Sequence, residues 1–414
     1  MPLQCLGAVI DLAAPLIKRG LDRRLARGQE IADRLPERFG FPSAPRPDGP
    51  LLWLHGASLG ETNSLRPLID WFLDQSPAHH VLLTSGSKSS SQHQHRTLPS
   101  RAVHQLLPAE NSRWIDRFLA HWRPDALVLA EQEFWPQLLM RVKRHAIPSL
   151  VVNARLSARS FGRWRKLSAV GLGISALVDT VHAQDERQAQ RFAALGFKHC
   201  VATGNLKFAV AGDEASKVRV SERGVDNGSD WTVLFAMSHP EEEEAAAVHW
   251  ANALAQLPEL RLVHCPRHVE RVGADDARPK WSSGARPTAR QREVVVDQYG
   301  VMADVYAHAD VVVLGGTFTK RVGGHSPIEA LNARRPVVVG PHLAAQQSIM
   351  DVLVPTGAVG VARSIEQAID LAIERQGYPE QTAQELAVFR VEKSKGTAAL
   401  VAAKSWISMV VRTM

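Results

Sequence analysis

Cysteine is nearly missing from this 414-residue chain, which carries three, at positions 5, 200 and 265. They are too few and too scattered for a disulfide framework or a zinc site, and the scarcity suits a reducing cytosol. Long apolar runs are missing too. Residues 1–17 are apolar but interrupted by Asp11 and Pro15, short of the ~20 residues that span a bilayer. No basic run precedes them and no cleavage site follows, so they do not read as a secretory signal. No G-x-G-x-x-G follows a strand-like run, and Gly86-Ser87-Lys88-Ser89 lacks the upstream glycine of a P-loop. His93 and His95 have no partners at metal-ligand spacing, and Cys265 and His268 read as structural, so neither metal nor cofactor is expected. Aromatic residues make up 6% of the chain and form no stripe interleaved with basic residues, which argues against nucleic acid as a partner.

What is present is an ordinary globular composition, 45% hydrophobic and 22% charged, with a formal charge of +7 that favours anionic partners. The length suits two domains of about 200 residues each. Apolar runs of strand length recur at 51–56, 80–86, 102–108, 126–130, 148–154 and 180–183, alternating with amphipathic stretches. One of these predicts a helix from about Thr62 to Asp74, and another a helix closed by Gly196. A polar run from Gly212 to Asp230 reads as a linker. The alternation then restarts at Trp231, with a surface loop expected over Gly273–Arg292 and a helical tail at the C-terminus. Strands alternating with helices mean parallel βα units. The expected fold is α/β, two Rossmann-like domains facing across a cleft, with ligands at the C-terminal ends of the strands. The boundaries fall at 1–40 for an N-terminal segment, 41–203 and 204–395 for the two domains, and 396–414 for a final helix packing back on the first domain. The N-terminal segment pairs its apolar start with Lys18, Arg19, Arg23, Arg24 and Arg27, a pattern expected to lie on an anionic membrane surface unless it is a plain solvated helix.

Three stretches carry candidate chemistry. In Val311–His342, two short apolar runs flank a Gly-rich loop, in which Ser326, Pro327 and Glu329 read as an N-cap, a first helical residue and an S-x-x-E capping box. The amides of Gly315, Gly316, Gly323 and Gly324 would then be open to an anion at a helix N-terminus, unless the stretch is a plain βαβ crossover. In His55–Glu61 (HGASLGE), Glu61 follows the first strand. It serves either as a general base or as the acidic opening of the next helix. Glu131 and Glu133 end the Ala126–Ala130 run ahead of Trp135-Pro136 and either orient a substrate or start a helix.

HGASLGE, EQEFWP, NARLSARSF, AQDERQAQRFAALGF, TGNLKF, SHPEEEE, CPRH and GGTFTKRVGGHSPIEAL…RPVVVGPH occur in this order between about Arg34 and Gly360. The series resembles the 3-deoxy-D-manno-octulosonic acid (Kdo) transferases of lipopolysaccharide assembly. The resemblance implies a glycosyltransferase-B fold, an acceptor-binding first domain and a CMP-sugar-binding second domain. It also implies inverting, metal-independent transfer from CMP-Kdo to a lipid A precursor, at the cytoplasmic face of the inner membrane, by a peripheral or weakly anchored protein. Carried over residue by residue, it makes Glu61 the general base and Glu131 a second residue needed for activity. Ser238, His239, Arg267, Gly323, Gly324, His325, Ser326 and Glu329 fall on the donor side. Ser58, Gly60, Glu133, Arg155, Asn205 and Lys207 fall on the acceptor side or between the domains. The chain departs from the family pattern in three places: Ser326 stands where Asn is usual, Ser85–Ser90 replaces a T-P-T-G loop, and Leu343–Gln346 lacks an N-F pair. A UDP-using enzyme of the same fold, or a non-catalytic nucleotide-binding or regulatory protein, is the alternative.

Overall fold

The computed structural model describes residues 2–166, 168–209, 230–273, 275–343, 346–377 and 379–412. The expected linker from Gly212, up to residue 229, and residues 344–345 of the departing loop lie outside them. The chain divides into two compact units, Met1–Val210 with Ser394–Met414, and Ala211–Lys393.

The first unit holds a seven-stranded parallel sheet: β1 (Leu51–Gly56), β2 (His80–Ser85), β3 (Ala102–Leu106), β4 (Ala126–Ala130), β5 (Ser149–Ala154), β6 (Thr180–Ala183) and β7 (Cys200–Ala202). Their spatial order is β3-β2-β1-β4-β5-β6-β7, every neighbouring pair parallel. The seventh strand had no clear signal, because its apolar run is only three residues long. Strands covered on both faces read as continuous apolar runs, and successive side chains then feed opposite faces. Thus Leu51, Trp53, Leu127 and Leu129 join one core with Phe118 and Trp122, while Leu52, Leu54, Val128 and Ala130 join the other with Leu68, Ile69 and Phe72.

The predicted Thr62–Asp74 helix is two helices, Leu59–Ser64 and Arg66–Gln75. Ser58 caps the first and Pro67 starts the second, so the chain turns at Leu65. Asn111, Asp185 and Ser87 cap later helices through their side chains. The N-terminal segment forms helices Pro2–Leu12 and Ala14–Ala26. Asp11, which interrupts its apolar run, accepts bonds from Asn111 Nδ2 (3.1 Å) and Ser112 N (2.8 Å), and Leu3 enters a core. No helix among the described residues is long and apolar enough to cross a membrane.

The second unit holds a six-stranded parallel sheet of β8 (Trp231–Ser238), β9 (Leu260–Pro266), β10 (Glu293–Val295), β11 (Val311–Leu314), β12 (Val337–Val339) and β13 (Gly360–Val361), in the order β10-β9-β8-β11-β12-β13. Gly273–Arg292 is less of a surface loop than expected. It buries Trp281, whose ring lies 4.0 Å from the Arg286 guanidinium and whose Nε1 donates to Asp304.

The last helix, Pro379–Arg412, ends in the first unit, where Ala399, Ala403, Trp406 and Ile407 pack beneath the sheet. Gly396 makes that packing fit. A Cβ there would come within 2.8 Å of Phe208 Cβ and 2.9 Å of both Ala209 N and Asn205 O, and backbone atoms cannot yield as a flexible side chain can. Replacing Gly396 with Ala is therefore expected to lower stability by about 1–3 kcal/mol through overpacking. Urea denaturation of the variant against the parent checks it.

Candidate active site

In each sheet the strand order reverses once, between β1 and β4 and between β8 and β11. Crossovers leave such a point in opposite directions, so the carboxyl ends of the two strands are left open to a ligand. The candidate residues collect at these two points.

At the first, Glu61 sits in the opening turn of Leu59–Ser64, in a reciprocal cap. Its amide donates to Ser58 Oγ (3.3 Å), while its carboxylate accepts from Ser58 Oγ (2.8 Å) and from Ala57 N (2.8 Å). The helix-opening role is thus real, and it coexists with perturbed acidity. Partial burial, then the neighbouring Glu131 carboxylate and more weakly Glu133, push the Glu61 carboxyl above the usual range, against those hydrogen bonds.

Glu131, just past β4, has the left-handed φ of 61°. Its Oε1 lies 2.7 Å from Lys207 Nζ, both side chains largely buried. Glu133 neither starts a helix nor stands alone. Burial works to raise its pKa, but His55 and the Trp135 Nε1 bond (2.7 Å) hold it low. His55 is fully buried, with Nδ1 3.1 Å from the Thr84 carbonyl and 2.9 Å from its hydroxyl, and sets Nε2 3.4 Å from Glu133, outside hydrogen-bond geometry. Asn205 accepts from Lys207 N through Oδ1 and keeps a buried Nδ2 with no partner among the described residues. Ser58 and Gly60 are exposed beside Glu61, and Arg155 is half-buried after β5.

Asn153 was not among the expected site residues. It is 1% exposed, has φ 55°, and stands where the β5–β6 register shifts. Its Oδ1 accepts from Leu206 N (2.7 Å) and its Nδ2 donates to Ser64 Oγ (3.4 Å), which itself donates to Glu61 O (2.7 Å). One amide thereby ties the Glu61 helix to the segment bearing Lys207. The available signal was a polar, left-handed-tolerant residue inside the apolar run LVVNA.

In the second unit the Gly-rich stretch departs from expectation. The four glycine amides are occupied: Gly315 N donates to Ala236 O (2.7 Å), Gly316 N to Glu242 (2.8 Å), Gly323 N to Thr319 O (3.3 Å) and Gly324 N to Gly316 O (2.8 Å). The S-x-x-E capping box does not form. The helix is only Ile328–Asn332, with Pro327 at its cap position and Ser326 Oγ accepting from Ile328 N at 3.4 Å. A loop that folds on its own amides leaves none of those four for an anion. Glu242 organises it: buried at 3% exposure, its carboxylate accepts from the amides of His239 (3.0 Å), Gly316 (2.8 Å) and Phe318 (3.0 Å).

The remaining residues expected on the donor side divide by exposure. Ser238 is buried, donating to Glu243 (2.9 Å) and lying 2.9 Å from His264 Nε2. Burial opposes it, but bonds from His264 and Arg271 bring Glu243 down to about 2. Arg267 and Glu329 are exposed, and Gly323 and Gly324 are buried. His239 and His325 meet at 3.1 Å, Nε2 to Nε2. Lys320, Gly323, His342 and Asp351 line an open groove.

Asn153→Ala should strand the buried Leu206 N–H and cost about 1–3 kcal/mol, seen as a lower denaturation midpoint in urea.

Residues 33–210 match the family described as 3-deoxy-D-manno-octulosonic-acid transferase (kdotransferase). The 3-deoxy-D-manno-octulosonic acid transferase of Chlamydia pneumoniae is 31% identical over 354 residues, 81% of this chain and 80% of its own. The probable mitochondrial 3-deoxy-D-manno-octulosonic acid transferase of Arabidopsis thaliana is 30% identical over 389 residues, 87% of this chain and 85% of its own. Among solved structures, a UDP-GlcNAc 2-epimerase from Neisseria meningitidis bound to UDP-GlcNAc covers 86% of this chain and 99% of its own at a TM-score of 0.52 and 13% identity, a likeness of fold alone. With two parallel-sheet α/β units, carboxylates gathered at a strand-order reversal and relatives matched over most of its length, the chain belongs to the Kdo transferase family of glycosyltransferases.

Proposed function

We propose that this protein moves Kdo from CMP-Kdo to a lipid A precursor, inverting the anomeric centre, with no metal and with Glu61 as general base. The observation that carries the reading is the half-buried Glu61 carboxyl, held at the end of β1 with its pKa raised by burial and by Glu131. A base needs a proton affinity matched to its task, and the Ser58 and Ala57 bonds fix its orientation. The acceptor hydroxyl gives its proton to Glu61 as its oxygen attacks the anomeric carbon. The bond from that carbon to the CMP phosphate breaks, and the electron pair leaves with CMP. Lys207 holds Glu131 in place, and Asn205 Nδ2, unpartnered among the described residues, offers a donor to the bound sugars.

The leaving phosphate is received by side chains of the second unit, with Arg267 its principal cation, because the glycine amides are occupied. The acceptor's phosphates are met by the basic helix Ala158–Lys166, none of whose side chains is buried. Exposed Val9, Leu12 and Leu16, with the Arg-rich helix that follows, favour a peripheral site on the cytoplasmic face of the inner membrane.

Glu61→Ala is expected to abolish transfer while CMP still binds; turnover by the variant would sink the base assignment. Arg267→Ala should raise the half-saturating CMP-Kdo concentration about tenfold or more with a smaller effect on kcat. The pH profile supplies a third check. Glu61 acts only when ionised, so activity falls as pH drops through its raised pKa. Glu131→Gln removes a neighbouring negative charge and should move that acid limb to lower pH. A binding comparison of CMP with UDP separates this reading from a UDP-using enzyme: CMP is expected to bind the more tightly.

A further inference from the structure

We propose that His239 and His325 form a paired-imidazole subsite that takes up one proton when the phosphate of a nucleoside monophosphate binds the second unit. This rests on the donor reading above and extends it to how the anion's charge is met.

The geometry is specific. The two Nε2 atoms lie 3.1 Å apart, with the rings within 8° of parallel and their centroids 5.4 Å apart. At that separation one nitrogen carries the hydrogen and the other offers a lone pair; two facing N–H groups would repel. The pair thus holds one hydrogen on its axis when neutral. His325 reaches this position because residue 316 is glycine: with φ 69°, a Cβ there would come within 2.5 Å of the ring's Cδ2. His239 is fixed from the other side, its amide held by Glu242 at the start of Pro240–Gln256.

The charges facing the pair come from two further places. Arg267 and His268 follow β9, and the His268 ring meets that of His239 edge-on at 6.3 Å. Glu241 and Glu242 lie on the helix that His239 caps, but both are engaged, Glu241 with Arg321 (2.9 Å) and Glu242 with three backbone amides. Burial, with Arg267 and His268, keeps the imidazoles neutral; it brings His325 down to about 4, and His239 is lowered as well. An anion placed among these groups reverses the balance, because it favours the charged form of any imidazole beside it. The amides of Gly315, Gly316, Gly323 and Gly324 are already taken, so the compensating charge must come from side chains. Arg267 supplies one, and an imidazolium shared by the pair supplies the other. It then faces the phosphate oxygen that keeps the electron pair when the bond to the sugar breaks.

Titration calorimetry of CMP into the whole protein tests this, at pH 8, where the CMP phosphate is a dianion. Repeating it in buffers of different ionisation enthalpy counts the protons exchanged. The expected result is uptake of about one proton per CMP, with affinity falling about tenfold per pH unit above neutrality. In His325→Gln and His239→Gln the uptake should drop toward zero and the affinity fall about tenfold. CMP binding by the parent protein without proton uptake, or with uptake unchanged in folded variants, overturns the imidazole pair and leaves the donor reading intact. Failure of the folded parent protein to bind CMP at all overturns the donor reading itself. The parent measurement decides the matter even where a variant does not fold.

Discussion

Everything placed at the candidate site depends on the reversal of strand order in a parallel sheet. A βα crossover covers one face and carries the next strand outward, so successive crossovers close over the strand ends everywhere except where the direction changes. In the first unit that point is β1 beside β4. Glu61 follows one strand and Glu131 and Glu133 follow the other, so a carboxylate about 70 residues away in the chain is brought near that pair. Like charges in a partly dry setting must be compensated or protonated. Lys207 compensates Glu131, the Trp135 bond and the neighbouring His55 hold the Glu133 pKa low, and Glu61 is left with its pKa raised.

In the second unit the same reversal has a different outcome. There the loop after β11 folds on itself, and the buried Glu242 holds it through three amides. An uncompensated carboxylate would be costly at 3% exposure. Three backbone donors make it tolerable, and in doing so they remove one glycine amide from service. What remains for an anion is a set of side chains: Arg267, the histidines and the open groove bordered by Lys320 and His342.

Much of this was legible in the sequence, and the failures have physical causes. Strands buried on both faces announce themselves, as in Leu51–Leu54 and Val311–Leu314; the three-residue Cys200–Ala202 does not. Ser58-x-x-Glu61 and Ser326-x-x-Glu329 carry the same spacing, yet only the first forms a reciprocal cap. Local pattern permits a capping box, but the path of the preceding loop decides it. The partners of Gly316 N and Leu206 N, Glu242 and Asn153, lie 74 and 53 residues away in the chain, beyond any local signal. Glu61 and Glu131, by contrast, were singled out by the family resemblance, since a strand-end position alone fits a helix-opening carboxylate as well as a base.

In the function proposed above, the first unit activates an acceptor hydroxyl while the second holds a CMP-sugar. The most direct test is to incubate the protein with CMP-Kdo and a lipid A precursor and read the acceptor by mass spectrometry. The acceptor's mass is expected to rise by at least one Kdo residue as CMP appears. An unchanged acceptor in the presence of intact, bound CMP-Kdo would contradict that function.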